Sequence, residues 1–236
     1  MHSANIQEYP VKVSAGKVFL EGDLKIPEGA QGLVVFAHGS GSSRHSPRNQ
    51  SVARYLHGTR LATLLFDLLT SQEEAEDRYT GHLRFNIPLL AERLGFVTDW
   101  VLADKTTRDL TIGYYGASTG AAAALMAATA RPLVVSAIVS RGGRPDLAGD
   151  DLYLVKAPTL LIVGGHDYPV IEMNREAMEK LQTEKKLVIV PRASHLFEEP
   201  GAMEEVSRLA AEWFQNYLVG EKSAASREEG RNSSHG

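Results

Sequence analysis

The chain has 236 residues, 43% hydrophobic and 23% charged, enough for one sizeable core and unlike disordered or fibrous compositions. Its 25 Lys and Arg against 29 Asp and Glu leave a net charge of -4, which gives no electrostatic reason to expect nucleic acid or an anionic membrane. With no cysteine there are no disulfides, no thiolate metal ligands and no thiol nucleophile.

The first segment, "MHSANIQEYPVKV", lacks the basic and apolar regions of a secretory signal, and no apolar run approaches the ~20 residues of a membrane span, so a cytoplasmic protein is expected. "YPVKV" and "KVFLEGDLKIP" read as a β-hairpin turned by "SAGK". Six apolar runs follow: "LVVFAH", "LATLLFD", "LTIGYY", "LVVSAIVS", "PTLLIVGG" and "KLVIVP". Their scarcity of polar interruptions predicts strands covered on both faces of a parallel sheet. Between the second and third, Ile87, Leu90, Leu94, Val97 and Val101 step by three and four, the buried stripe of a helix. Met203, Val206, Ala210, Trp213 and Tyr217 repeat that stepping near the end, and the alanine-rich segment 120–130 predicts a helix packed close to the sheet. Residues 71–82, "SQEEAEDRYTGH", read as an acidic, solvated loop. Alternation of strand and helix predicts one three-layer, doubly wound α/β domain over residues 1–218 with a mostly parallel sheet, and residues 219–236 read as a disordered tail.

In an open α/β sheet, ligands bind beyond the carboxyl ends of the strands. Four such ends carry "HGSGSS", "GAST", "GGHD" and "PRASH", which brings a glycine-rich loop, Ser118, Asp167 and His195 to one rim. A serine hydroxyl is a poor nucleophile until a base takes its proton, and the base needs an orienting acid. "GASTG" fits the G-x-S-x-G elbow, in which a strand turns sharply into a helix and presents the hydroxyl. Ser118, His195 and Asp167 are therefore the expected nucleophile, base and acid, with the backbone N–H groups of Ser40 and Thr119 as the oxyanion donors. Asp167 also suits a helix N-cap, and His166 competes with His195 as the histidine.

The glycine loop lacks the ending of a phosphate-binding loop, and as a dinucleotide fingerprint it fails at Arg44, although Asp67 stands where a ribose-binding acid would. A nucleotide-binding oxidoreductase and a non-catalytic small-molecule receptor are the alternatives to an enzyme with this triad. Arg44, Arg48, Arg141 and Arg144 lie on rim loops, where a guanidinium can hold a substrate carboxylate or phosphate; salt bridges are the plainer account.

With "HGSGSSRHSPRN", "GASTG", "VSRGGRPDLA" and the strand-end Asp167 and His195, residues 30 to 218 resemble the α/β-hydrolase fold, within it the small dienelactone hydrolase-like group. The first and third segments resemble bacterial hydrolases associated with a phosphoribosyltransferase domain, a domain not read in this sequence. Dienelactone hydrolases use a cysteine where Ser118 stands, so the resemblance implies ester hydrolysis through a serine, with lactones, thioesters and perhydrolysis left open. It implies a small-molecule ester substrate and neither metal nor organic cofactor, and leaves a homodimer open. Between "LVVSAIVS" and "PTLLIVGG" the chain is too short for a helical cap, which predicts an open cleft.

Overall fold

The computed structural model describes residues 5–219. Strands β1 (Ile6–Ala15) and β2 (Val18–Pro27) form the antiparallel hairpin, turned at Gly16. The six apolar runs form β3 (Gly32–Ala37), β4 (Leu61–Phe66), β5 (Thr111–Ala117), β6 (Val135–Arg141), β7 (Thr159–Gly164) and β8 (Lys185–Val190). All eight join one sheet in the order β1-β2-β4-β3-β5-β6-β7-β8, parallel from β4 to β8, with β2 antiparallel to β4. From β3 the chain winds first to β4 and then back to β5 on the other side, so the loops after β3 and β5 face each other across the switch point of the sheet.

The helices are α1 (Pro47–Gly58), α2 (Ser71–Thr80), α3 (Ile87–Ala103), α4 (Thr119–Thr129), α5 (Tyr168–Lys180) and α6 (Ala202–Phe214). Alternation along the strands divides the core: Phe36, Tyr115 and Val139 pack with α1 and α6, while Val35, Tyr114 and Ile138 pack with α3 and α4 on the opposite face. The stripe from Ile87 to Val101 is buried throughout. Near the end, Val206, Ala210 and Trp213 are buried in α6, Met203 is half-buried, and Tyr217 is carried inward by a π-helical turn, Gln215–Val219. Val219 still belongs to that turn; the rest of the expected tail, residues 220–236, lies outside the described residues.

Two expectations are corrected. Residues 71–80 are a helix, because Thr70 and Glu73 form a capping box at its start and Gly81, with φ of +66°, caps its end. β8 is not covered on both faces: it is the edge strand, and Leu187, Val188 and Ile189 stay partly exposed. The crossover from β6 to β7 holds short 3-10 turns over Pro145–Leu154 and no cap. Among the described residues no helix is long and apolar enough to cross a membrane.

Candidate active site

β5 ends at Ala117 and α4 begins at Thr119, which leaves Ser118 alone to make the reversal. Its φ of 51° and ψ of −123° are a conformation that costs a non-glycine residue on the order of 1–3 kcal/mol and persists only where the surroundings impose it. Here they do: its N–H donates to the Arg141 carbonyl at 3.2 Å, and its own carbonyl accepts from Ala121 and Arg144, each at 3.1 Å. The flanking glycines permit the close packing. A β-carbon at Gly116 would stand 2.4 Å from the Ala121 Cα, and one at Gly120 would stand 2.2 Å from the Ala37 oxygen. Ser118 remains partly exposed.

Asp167 does occupy the N-cap position of α5, yet its side chain caps no helix N–H. Its Oδ2 lies 2.6 Å from Nδ1 of His195 instead. With Nδ1 donating to the carboxylate, Nε2 is left as the basic nitrogen. Glu199 accepts the Ser194 N–H at 3.0 Å and closes the turn that carries His195, while Phe197 is buried beneath it. A β-carbon at Gly142 would meet Cε1 of His195 at 3.5 Å, so the imidazole rests on segment 141–144, the same segment that is hydrogen-bonded to Ser118 at both ends. From α5, Asn174 Nδ2 donates to the Gly143 carbonyl at 3.0 Å and fixes this segment from below. His166 is exposed, and its N–H is used by the Ala193 carbonyl.

The loop after β3 passes against the serine, since a β-carbon at Gly39 would lie 3.0 Å from Cβ of Ser118. His38 holds it there: Nε2 accepts the Leu68 N–H at 3.0 Å, which leaves Nδ1 protonated to donate to the Gly39 carbonyl at 2.9 Å. Burial pushes the His38 pKa down and keeps the ring neutral. Thr119 opens α4, where the first N–H groups have no partner inside the helix. The Ser40 N–H, expected to point at the substrate, donates to Oγ1 of Thr119 at 2.9 Å. Sequence reasoning missed His38, Asn174 and Glu199; the readable signals were a histidine closing a strand and a polar residue on the buried side of a helix.

The rim arginines are engaged. Arg44 binds Asp67, Glu21 at 3.0 Å and Asp23 at 3.5 Å, which also occupies the carboxylate considered for a ribose. Arg144 grips Asp146 through two bonds of 2.9 and 2.8 Å, and Arg48 lies 3.7 Å from Glu198. Arg141 is buried, reaches Asn49 at 3.3 Å and lies over the Phe197 ring. A cleft of about 670 Å³ beside the glycine loop is lined by Arg44, Arg48, Arg78, His45, Asp67 and Glu74 among others.

No family model matches the chain. Among solved structures, dienelactone hydrolase from Anabaena variabilis is 63% identical with a TM-score of 0.89, the match covering 90% of this chain and 99% of that one. Two remoter structures share the fold. Est1E from Butyrivibrio proteoclasticus, with ferulic acid bound, is 17% identical with a TM-score of 0.75, over 89% of this chain and 99% of its own. A dienelactone hydrolase-like promiscuous phosphotriesterase from metagenomic libraries is 17% identical with a TM-score of 0.72, over 92% and 100%. Two curated Mycobacterium tuberculosis proteins, provisionally named phosphoribosyl transferases, are 54% identical over 215 residues, 91% of this chain and 48% of theirs. The chain thus spans about half the length of the curated relatives it matches.

Proposed function

The chain belongs to the dienelactone hydrolase family, and on that premise we propose that it is a serine hydrolase that cleaves carboxylic esters, with short-acyl esters and lactones as the candidate substrates. The transferase name belongs to proteins of which this chain matches about half. In this reading Ser118 Oγ adds to the ester carbonyl while Nε2 of His195 takes its proton, and Asp167 stabilises the resulting imidazolium. Collapse of the tetrahedral adduct expels the alcohol, which receives that proton. Water then adds to the acyl-enzyme, His195 takes and returns its proton in turn, and the acid leaves with Ser118 regenerated. In this reading the Ser118 hydroxyl is the nucleophile of a chain that contains no cysteine.

One observation carries the proposal: a serine held at positive φ between a strand and a helix, on whose hydrogen-bonded segment the Asp167-paired imidazole rests. The test is turnover of p-nitrophenyl acetate together with labelling by a fluorophosphonate. Ser118→Ala is expected to abolish labelling and to cut kcat roughly 10⁴-fold or more, and Asp167→Asn to cut it by about 10⁴. Wild-type protein that neither labels nor turns over faster than Ser118→Ala would overturn the proposal.

A further inference from the structure

We infer that the side-chain hydroxyl of Thr119 is itself an oxyanion donor, with the Ser40 N–H acting through it rather than directly. The inference rests on the serine-hydrolase reading and assigns the oxyanion site of that reaction a group that sequence reasoning placed only on the backbone.

The argument starts from one peptide plane. The Gly39 carbonyl and the Ser40 N–H belong to the same peptide unit, and both ends are held: the carbonyl by Nδ1–H of His38 at 2.9 Å, the N–H by Oγ1 of Thr119 at 2.9 Å. Turning the Ser40 N–H toward substrate would rotate this planar unit and break both bonds, in a loop already packed against the Ser118 Cβ. The Thr119 hydroxyl has no such constraint. It has one proton and two lone pairs, and the bond from Ser40 uses a lone pair. Thr98 of α3 and Thr129 of α4 spend their proton on a preceding carbonyl, that of Leu94 and of Met126, both at 2.8 Å. Thr119 stands at the first position of α4, with no helical turn before it, and among the described residues its hydroxyl donates to no protein group. The residue is 4% exposed and directly follows the nucleophile. Accepting a bond from Ser40 polarises the hydroxyl and strengthens what it donates.

When Ser118 Oγ adds to a carbonyl, the new alkoxide therefore meets two donors from one residue, the N–H and O–H of Thr119. No proton changes owner: the hydroxyl lends a hydrogen bond while the alkoxide exists and loses it when the carbonyl re-forms.

Thr119→Val tests this, because it removes the hydroxyl, keeps the shape and the Thr119 amide, and sets the Ser40 N–H free. If the hydroxyl is the donor, kcat on p-nitrophenyl acetate falls roughly 10²-fold with KM little changed, and the affinity for a trifluoromethyl ketone falls by the same factor as kcat/KM. Thr119→Ser, which retains the hydroxyl, stays near wild type. If Ser40 donates directly, Thr119→Val keeps or gains activity, and that result overturns the inference; so does an equal loss in Thr119→Ser. Should Thr119→Val fail to fold, Thr119→Ala gives the same comparison. Failure of the hydrolase reading itself is a different outcome, absence of Ser118-dependent turnover in the wild type.

Discussion

The Ser194 N–H donates to the Glu199 carboxylate, and this bond, together with that from the Phe197 N–H to the Ser194 carbonyl at 3.2 Å, closes the turn on which His195 sits. It is the main reason the Glu199 carboxyl titrates below the ordinary glutamate range. A depressed carboxylate pKa means the interaction is present above the ordinary value of about 4.3 and is lost as the pH falls through the folded pKa. At neutral pH the bond is fully formed, so removing it tests the geometry of the histidine rather than its charge. Glu199→Ala is expected to lower kcat about tenfold at pH 8, short of the ~10²-fold that a displacement of 1 Å brings, with the fold retained. Glu199→Gln, which keeps an acceptor, is expected to fall between the two. Unchanged kcat in Glu199→Ala would mean that Phe197, buried beneath the turn, suffices to hold His195.

The approach of α4 to the sheet decides whether the elbow exists, and Gly120 sets that approach. Two effects of Gly120→Ala oppose each other. Alanine favours a helix over glycine by ~1 kcal/mol, whereas the added β-carbon would stand 2.2 Å from the Ala37 oxygen and 2.4 Å from the His38 oxygen, both backbone atoms of the β3 end. Overpacking against rigid backbone outweighs propensity, with an expected net loss of ~3 kcal/mol and a melting temperature lower by roughly 6–12 °C, read by thermal unfolding. An increase in stability would show that α4 can lift off the strand. The elements that were legible in the sequence have this strict packing in common: buried strands show as unbroken apolar runs, and α3 shows as a stripe. α2 did not show, because Asp77 is its one buried residue and its charge resembles a loop. What makes it a helix is local capping, readable in Thr70 and Glu73, together with Arg93, which reaches Glu73 from 20 positions away. The site divides in the same way. Ser118, Asp167 and His195 each follow an apolar run, so position together with residue type marked them as candidates. The direction of the Ser40 N–H depends on a hydroxyl 79 residues distant, which no local pattern encodes.

At the scale of the whole molecule, two neutral imidazoles join core layers and make stability depend on pH. His57 contacts Thr63 Oγ1 at 2.8 Å, and burial lowers its pKa to about 4; burial also lowers that of His38. In the unfolded chain both titrate near the ordinary value of about 6.5. Below that pH the unfolded chain binds protons that the folded protein refuses, so stability is fully present above about 6.5 and declines as the pH falls toward 4. Carboxylates with depressed pKa values, Asp77 and Asp104 as well as Glu73, Glu199 and Glu205, act mainly below about pH 5, which leaves most of the interval above it to the histidines. The urea midpoint is therefore expected to fall steadily between pH 6.5 and 4.5, and His57→Gln to flatten part of that slope while leaving ester turnover at pH 8 unchanged, because His57 lies on α1 away from Ser118. The remaining slope is assigned to His38, whose protonation at Nε2 would set an N–H against the Leu68 N–H while Nδ1 still donates to the Gly39 carbonyl, so acid is expected to unfasten the His38 loop from Leu68 as it destabilises the fold. A midpoint that stays level from pH 7 to 5 would show both rings accepting protons in the folded state, and with that the acceptor role of His38 Nε2 toward the Leu68 N–H would lose its basis.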